Sequence, residues 1–547
     1  MIPLFKKGDK TDVNNYRPVS LLSCVSKIME KVIFKKVYNY IRDNNLISPH
    51  QSGFKPGDST VNQLAYLYHT FCEAIDKKKD VRIVFCDISK AFDRVWHDGL
   101  IYKLKKFGIH GDLLNWFKDY LTDRQQKVII RGQHSELGHI KAGVPQGSIV
   151  GPMLFLVYIN DLINVVGSNA RLFADDTSLY IDFDDPTEAK NILDTDLLNI
   201  QNWAKQWLVN FSPPKTKAMT VSFKKRPSPP LRFQDTDLAD VDSHKHLGLT
   251  LSKNLSWSVH ISNIIKSASP MADVLRKLKY KVDRESLEKI YFSFIRPKLE
   301  YGSEIWDGCK KQDAEMLENF QLDMARIVTG ARRGTSHDLL YEELKWPLLR
   351  DRRYNKKIKH FCDIIEGNSP NYLSDLVPKP VNPHNLRNSK NIPPIKCRTE
   401  VFRRSFLPSS ITLWNELPVE VRNIEAITKK EIIQRNKLFY LGNRETNIKH
   451  AQLRLKCSRL NGHLFLLHVI DSPRCACGSD LENSDHYLLW CPLYIVQRQS
   501  MMTEISQIFN HNIAGNDLLY GSDNADYVTN VKIFRLVHKF IEETNRL

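Results

Sequence analysis

Hydrophobic positions in the first 225 residues follow more than one period, which predicts a mixture of strands and helices. Residues 81–88 form a short, mostly apolar and β-branched run with Asp87 near its end, which indicates a strand with a buried face. Residues 170–181 consist of two apolar runs around a polar centre, which predicts a hairpin with acidic residues at its turn. The fold class expected for this part of the chain is therefore α/β, of the mixed α+β kind.

A helix is predicted to begin after Asp185. Asp185 is a suitable N-cap, Pro186 fits the first helical position, and Glu188 could complete a capping box. One apolar stripe follows at helical spacing and contains Leu193, Leu197, Ile200, Ala204 and Trp207. After an exposed link at residues 224–230, the pattern becomes mainly helical, for example in a helix predicted to end before Gly330.

Composition and net charge indicate what kind of partner the protein binds. The 547 residues are too many for one ordinary core, and 42% hydrophobic with 26% charged residues is typical of globular proteins. Lys and Arg number 79 against 62 Asp and Glu, a formal charge of +17, which favours nucleic acid as a partner. No signal peptide or membrane-spanning run is found, and scattered cysteines fit reduced thiols, so we expect an intracellular protein without a membrane partner.

Three motifs contain acids that could hold metal ions. Phosphoryl transfer to a nucleotide uses two divalent ions about 4 Å apart, which carboxylates on rigid elements can bind. Residues 87–93 read Asp-Ile-Ser-Lys-Ala-Phe-Asp, residues 143–152 read Gly-Val-Pro-Gln-Gly-Ser-Ile-Val-Gly-Pro, and residues 173–176 read Phe-Ala-Asp-Asp. In this order and spacing they resemble motifs A, B and C of reverse transcriptases, in the variant typical of non-LTR retrotransposons.

The resemblance to the non-LTR (LINE) reverse transcriptases, of the jockey and CR1 style, extends along nearly the whole chain. Its further matches are two fingers motifs at residues 15–22 and 50–54, motif D at 203–217, a thumb-proximal segment at 245–261, and segments at 296–302 and 414–418. It implies a right-hand polymerase palm with fingers and a helical thumb, plus a small C-terminal zinc-knuckle-like module.

The resemblance also divides the chain into four predicted domains. These are fingers and palm at 1–225, the end of the palm with the helical thumb or connection at 226–365, a proline-rich linker and connection region at 366–450, and a basic C-terminal region at 451–547. The chain begins inside the first fingers motif, so we expect the fingers to be truncated at the N-terminus.

Residue roles are carried over from the family to the matching positions. Asp87, Asp175 and Asp176 are expected to be catalytic and to hold two Mg²⁺ ions. Lys215, in motif D, is the expected proton donor to the leaving pyrophosphate.

Four further residues are expected to bind the incoming dNTP. Arg17 would meet the triphosphate, because its guanidinium fork suits phosphate oxygens. Phe92 matches the sugar gate, a ring that crowds a 2′-hydroxyl and so selects deoxynucleotides. Gln146 and Gly147 match residues that lie against the nucleotide, where glycine allows close backbone approach. Lys6 and Lys7 are not assigned to the site.

A cluster near the C-terminus has the composition of a zinc site. Cys475, Cys477, His486 and Cys491 form the pattern C-x-C-x8-H-x4-C, whose three thiolates and one imidazole are a complete tetrahedral set for Zn²⁺. The pattern resembles the knuckle near the C-terminus of many non-LTR proteins. Four basic residues of the same segment suggest contact with RNA or DNA, namely Arg454, Lys456, Arg459 and Arg474.

The function implied is RNA-directed DNA polymerase activity that extends a DNA 3′-OH on element RNA, by target-primed reverse transcription. The expected partners are element RNA as template, target DNA as primer, and dNTPs, in the nucleus and in a cytoplasmic ribonucleoprotein. No endonuclease or RNase H pattern is found, so we expect the polymerase part of a larger element protein.

Three alternatives stay open at this point. The chain could be a truncated, inactive relic that only binds nucleic acid, although its acids and motif B are intact. An RNA-dependent RNA polymerase is disfavoured by Phe92 and by the Phe-Ala-Asp-Asp turn. A maturase-type intron protein is disfavoured by the long thumb and the C-terminal knuckle.

Overall fold

The computed structural model describes residues 1–6, 8–224, 226–379, 391–417 and 437–547, and the chain forms two compact units. The first unit comprises Met1–Ser256 and Phe361–Glu416, and the second comprises Trp257–His360 and Leu417–Leu547. Every strand described belongs to the first unit, while the elements described in the second unit are helices. The compact units divide the chain at other positions than the four predicted domains, because residues 361–416 return to the first unit.

The strands of the described residues are β1 (Ile2–Phe5), β2 (Tyr16–Val19), β3 (Asp80–Cys86), β4 (Gln125–Gln126), β5 (Ile129–Ile130), β6 (Gln133–His134), β7 (Gly138–His139), β8 (Asn169–Phe173), β9 (Asp176–Phe183), β10 (Lys217–Val221), β11 (Arg232–Phe233), β12 (Thr236–Asp237), β13 (Ala239–Asp240), β14 (Ser243–His246) and β15 (Leu249–Ser252). The helices are Cys24–Asp43, Thr60–Asp76, His97–Lys106, Gly111–Leu121, Gly151–Ile159, Pro186–Gln206, Ser258–Leu278, Arg284–Ile290, Arg296–Glu300, Ser303–Trp306, Lys311–Thr329, His337–Leu344, Leu349–Ile365, Asn371–Ser374, Glu400–Arg404, Phe406–Glu416, Arg444–Arg454, Asn461–Leu466, Ile495–Ile508, Gly515–Tyr520 and Tyr527–Thr544. Short 3-10 or π turns lie at Val13–Asn15, Ala91–Arg94, Asn160–Val165, Tyr291–Ile295, Lys437–Tyr440, His486–Trp490 and Pro492–Tyr494.

A five-stranded sheet in the order β13-β10-β3-β9-β8 is the centre of the first unit. β3 pairs antiparallel with both β9 and β10. It is buried along its whole length, because helices cover both faces of the sheet. On one face Val84 joins the core that contains Leu193 of helix Pro186–Gln206, and on the other face the Phe71 ring lies 5.7 Å from Tyr180. The strand predicted at residues 81–88 is confirmed, and such a sheet fits the expected palm.

The hairpin predicted at residues 170–181 is also confirmed. β8 and β9 pair antiparallel up to Phe173 and Asp176, which leaves Ala174 and Asp175 in the turn. Ala174 has a φ of +56°, a left-handed conformation that few non-glycine residues adopt. The backbone at this turn therefore needs support from its surroundings.

The predicted helices begin and end near the expected residues. Helix Pro186–Gln206 is capped by Asp185, whose side chain accepts a hydrogen bond from the Thr187 amide, and its apolar stripe is buried. In the second unit, helix Lys311–Thr329 ends at Gly330, whose φ of +80° suits a glycine C-cap. Among the described helices, none combines the length and the apolar character that crossing a membrane requires.

The region predicted as a proline-rich linker, residues 366–450, is more ordered where it is described. Residues 380–390 and 418–436 lie outside the described residues, and Pro418 of the 414–418 segment is among them. The backbone amide of Thr399 donates to Asp76 Oδ1 at 2.6 Å, and Arg398 Nε donates to the Asp76 carbonyl at 2.7 Å. This part of the chain thus caps the end of helix Thr60–Asp76. The many prolines and asparagines of this region did not predict its contact with helix Thr60–Asp76.

Candidate active site

The three candidate catalytic acids lie at one end of the central sheet. The register of β3 and β9 pairs Cys86 with Thr177, so the next residues outward, Asp87 and Asp176, follow at the same end of the ladder. Asp175 precedes Asp176 in the turn of the β8–β9 hairpin. The sheet thus brings together acids that are almost 90 positions apart in the sequence, on rigid elements.

The acids destabilise one another's ionised forms. Partial burial, followed by the charges of Asp175 and Asp87, raises the pKa of Asp176 to about 6. Burial and the Asp87 charge also raise the pKa of Asp175. The positive charge of Lys6 lowers both pKa values, and that of Arg17 lowers the pKa of Asp175. A divalent cation between these carboxylates would relieve the repulsion that their ionised forms experience.

Asp87, Asp175 and Asp176 are the side chains that could hold Mg²⁺ here, because carboxylates are the hard oxygen ligands that this ion prefers. Nucleotidyl transfer uses two such ions about 4 Å apart, which carboxylates at one end of a sheet could share.

A cavity of about 1040 Å³ opens beside the acids in the first unit. The predicted residues that line it are Arg17, Asp87, Phe92, Gln146, Gly147, Asp175 and Lys215. Asp176 is the one predicted member of this site that is not part of the lining. The structure thus brings together, around one cavity, residues that five separate motifs contribute.

Lys215 lies next to the first of the acids. Its Nζ is 3.6 Å from Asp87 Oδ2, and 66% of its side chain is exposed, so it is free to reorient. The Asp87 carbonyl accepts a hydrogen bond from the Ser212 amide at 2.8 Å, which ties motif D to the end of β3. The geometry places an ammonium group at the edge of the cavity, near the acids.

Phe92 is held between two other aromatic rings. It stacks on Phe155 with a centroid distance of 4.7 Å and meets the Phe54 ring edge to face at 5.9 Å. Phe54 and Phe92 both line the cavity. This packing fixes the ring position, which a steric gate requires.

The backbone of motif B approaches the segment after β2 closely. Gly147 has a φ of +116°, and a Cβ there would lie 2.9 Å from the Ser20 carbonyl oxygen, so glycine is required. The Ser20 amide donates to the Gln146 carbonyl at 2.8 Å. The Gln146 amide group is already engaged, because its Nε2 donates to Asp93 Oδ1 at 2.8 Å. Gln146 can therefore meet a nucleotide only through its remaining atoms or after exchanging this bond.

Two residues of this region were not assigned from the sequence. Lys6 lines the cavity and lowers the pKa of Asp176, although a lysine near the start of the chain suggested only a solvated charge. Glu30 is buried, and its Oε2 accepts hydrogen bonds from the Ile149 amide at 2.7 Å and from Ser148 Oγ at 2.8 Å. It thereby caps the start of helix Gly151–Ile159, where the helix dipole favours a negative charge. Nothing in the sequence around Glu30 distinguished it from the exposed charges beside it.

The four residues of the Cys/His cluster meet in the second unit. One ligand atom from each of Cys475, Cys477, His486 and Cys491 lies within 4.8 Å of the others. Cys475 Sγ and Cys491 Sγ are 3.7 Å apart, and Cys477 Sγ lies 3.3 Å from His486 Nε2. Two sulfurs bound tetrahedrally to one zinc ion would be about 3.8 Å apart, given Zn–S bonds of about 2.3 Å. The donor set and its spacing therefore fit Zn²⁺.

The structure corrects one interpretation of the basic residues near this cluster. Arg454 is buried and makes two hydrogen bonds to Glu343, from Nε to Oε2 at 2.8 Å and from Nη2 to Oε1 at 2.7 Å. It cannot contact RNA or DNA from this position, because a buried pair of charges is kept apart from solvent. Arg474, by contrast, is mostly exposed.

Comparisons with known proteins agree with the motifs. Residues 5–251 match the family described as reverse transcriptase (RNA-dependent DNA polymerase). A relative from Drosophila melanogaster, the probable RNA-directed DNA polymerase from transposon BS, is 30% identical over 370 residues, which cover 64% of this chain and 41% of the relative. The RNA-directed DNA polymerase from mobile element jockey, of the same organism, is 30% identical over 367 residues, covering 65% of this chain and 40% of the relative.

Among solved structures, apo telomerase from Candida tropicalis matches with a TM-score of 0.34 and 11% identity, over 64% of this chain and 55% of the telomerase chain. This score is too low to add to the description of the fold. The chain spans about two fifths of the length of the two Drosophila relatives.

Proposed function

We propose that this chain is an RNA-directed DNA polymerase of the jockey-like non-LTR type, because residues 5–251 match the reverse transcriptase family and the similar proteins include the jockey polymerase. It would extend a DNA 3′-OH on element RNA by two-metal nucleotidyl transfer, as in target-primed reverse transcription. The observation that carries the proposal is the meeting of Asp87 and Asp175 with Arg17 and Phe92 around one cavity. Element RNA, target DNA and dNTPs would be its partners, in the nucleus and in a cytoplasmic ribonucleoprotein.

In this mechanism Asp87, Asp175 and Asp176 would hold two Mg²⁺ ions, which would supply activation of the 3′-hydroxyl and stabilisation of the leaving pyrophosphate. Arg17 and Lys6 both line the cavity, and their positive charges, which lower the pKa of Asp175, would bind the triphosphate. Lys215 would donate a proton to a pyrophosphate oxygen, since its Nζ lies 3.6 Å from Asp87 Oδ2 and its side chain lines the cavity. Gln146 and Gly147 would border the base and sugar of the nucleotide.

The test of the proposed function is primer extension on an RNA template by the full chain with Mg²⁺ and dNTPs. Extension that follows the template sequence supports the polymerase. Template and primer bound tightly, with no extension under any condition, would instead support an inactive relic that only binds nucleic acid.

Phe92→Ala is expected to weaken the selection of dNTPs over rNTPs by about 10-fold or more, because removing the ring leaves room for a 2′-hydroxyl. The measurement is the ratio of kcat/KM for dNTP and rNTP on one template. Phe223→Ala, at an exposed ring of the same unit, is the matched control. An unchanged ratio in Phe92→Ala would remove the gate assignment.

The Mg²⁺ requirement is expected to depend on pH. The metal-free protein holds a proton on Asp176 below its pKa of about 6, and Mg²⁺ must then displace this proton. The Mg²⁺ concentration for half-maximal rate should therefore rise by about 10-fold from pH 7.5 to pH 5. The same shift means that, without metal, the contribution of Asp176 to folding stability is present at low pH and is lost as the pH rises through about 6. A Mg²⁺ requirement that stays constant over this range, with unchanged template affinity, would contradict the assignment.

The Cys/His cluster is proposed to bind one Zn²⁺ ion, in keeping with its four donors and their spacing. His486 begins a π turn that ends at Trp490, immediately before Cys491, so the turn separates the last two ligands by a fixed distance. The ion would stabilise a small module whose exposed basic side chains, such as Arg474, contact RNA or DNA.

A further inference from the structure

The catalytic turn is held by a loop from a different part of the chain, residues 50–58, which we call the clamp loop. The Leu172 amide donates to the His50 carbonyl, and the Ser52 amide donates to the Leu172 carbonyl, each at 2.9 Å. Gln51 is buried, and its Oε1 accepts hydrogen bonds from the Ala174 amide at 2.9 Å and from the Gly53 amide at 2.8 Å. The clamp loop thus pairs with β8 and supports the amide of the residue that precedes Asp175.

The contact between the clamp loop and the turn leaves no room for a side chain at Gly53. A Cβ added at Gly53 would lie 2.3 Å from the Ala174 nitrogen and 2.8 Å from the Phe173 carbonyl carbon. Ala174 adopts its left-handed φ next to this contact. A strained conformation persists only where its surroundings determine it, so the position of the clamp loop bears directly on the position of Asp175.

Tyr372 holds the clamp loop in turn. Its hydroxyl donates to Asp58 Oδ1 at 2.8 Å and lies 3.4 Å from Ser52 Oγ. Burial, followed by the Asp58 charge, raises the pKa of Tyr372 above its usual range, so the phenol keeps the proton that it donates. Tyr372 belongs to the short helix Asn371–Ser374, in the segment that returns to the first unit after residue 360.

The ring of Tyr372 also contacts β8 itself. The Arg171 guanidinium lies over the rings of both Tyr372 and Tyr66, at 4.0 and 3.9 Å from their centroids. Arg171 is buried on β8 and donates to the Pro49 carbonyl at 3.2 Å. One tyrosine therefore joins the clamp loop, through its hydroxyl, to the strand that leads into the catalytic turn, through its ring.

We propose that Tyr372 is a positioning residue for the catalytic acids, acting through the clamp loop and Gln51 on the turn that carries Asp175 and Asp176. This inference rests on the proposed polymerase function. It extends the machinery of the active site beyond residues 5–251, which match the reverse transcriptase family, to a segment more than 100 positions further along the chain.

The experiment compares Tyr372→Phe and Tyr372→Ala with the wild-type full chain, with Tyr527→Ala at an exposed tyrosine as the matched control. Hydrogen exchange of the segment that contains Ala174 is measured first, without metal or nucleic acid. Tyr372→Phe loses the hydroxyl but keeps the ring on Arg171, so exchange should become about 5-fold faster. Tyr372→Ala should give a larger increase, and the control none.

The second measurement is the Mg²⁺ concentration for half-maximal primer extension. It should rise by about 3-fold in Tyr372→Phe and further in Tyr372→Ala, because displaced acids bind the ions less well. The affinity for template and primer should stay constant. A residue with only a general structural role would lower the amount of active protein without changing the Mg²⁺ requirement.

The outcomes distinguish a failure of the positioning role from a failure of the proposed polymerase function. Unchanged exchange at the Ala174 segment in both variants overturns the positioning role, whatever happens to activity. An unchanged Mg²⁺ requirement in both variants of an active enzyme also overturns it. If the wild-type chain makes no DNA, the proposed function fails, while the exchange measurement still decides whether Tyr372 holds the turn.

Discussion

Asp175→Asn/Asp176→Asn is expected to lower the rate of DNA synthesis by about 1000-fold or more, while the variant still folds and binds template and primer. An asparagine oxygen is a neutral and weaker ligand, so the two Mg²⁺ ions would lose most of the negative charge that holds them. Burial, followed by the charges of neighbouring acids, raises the pKa of both Asp175 and Asp176, so their ionised forms are unfavourable without metal and the metal-free double variant should be at least as stable as the wild type. The rate is measured by primer extension and the stability by thermal unfolding in the presence of a chelator.

Asp184→Asn is the matched control for this experiment, because Asp184 is an exposed acid just after β9. It should leave the rate unchanged. If the double variant extended primers at a rate near that of the wild type, the acids at the turn would not be the metal ligands. If it unfolded, the test would be repeated with Asp87→Asn, whose acid lies on the other strand of the site.

Removal of zinc is expected to unfold the C-terminal module around the Cys/His cluster. Structural zinc contributes about 10–16 kcal/mol of binding free energy in small zinc-binding peptides, which is more than the total stability of many domains. The purified chain should contain one zinc ion, and a chelator or Cys491→Ser should make the segment around residues 475–491 sensitive to protease. Elemental analysis and limited proteolysis with mass spectrometry measure these two results.

Cys24→Ser is the matched control here, because Cys24 is an exposed free cysteine of the first unit. It should change neither the zinc content nor the protease pattern. A purified chain without stoichiometric zinc, together with Cys491→Ser protein that resists protease like the wild type, would identify the cluster as free cysteines beside a histidine. RNA binding by Cys491→Ser would then also be unchanged.

The sequence by itself predicted the elements that depend only on residues close together in the chain. The apolar run around β3, the hairpin with its acids and the helix that begins at Pro186 follow from periodicity and from capping, so they were predicted near their observed bounds. The candidate catalytic and nucleotide-binding residues were predicted from the resemblance of five motifs to those of reverse transcriptases, and their residue types suit metal and phosphate binding. The Cys/His cluster was recognised in the same way.

Tertiary structure decided which charges are exposed and which groups support the site. Arg454 looked like part of a basic surface, yet it is buried against Glu343, more than 100 positions away. Glu30 was not singled out in the sequence, yet it caps the helix of motif B.

Tyr372 lies in a region whose composition predicted a linker, yet it contacts the loop that holds the catalytic turn. Each of these roles depends on a partner that is distant in the chain. Local periodicity and motif spacing carry no information about such partners, because the free energy of a buried hydrogen bond or ion pair is set by what folding brings beside it.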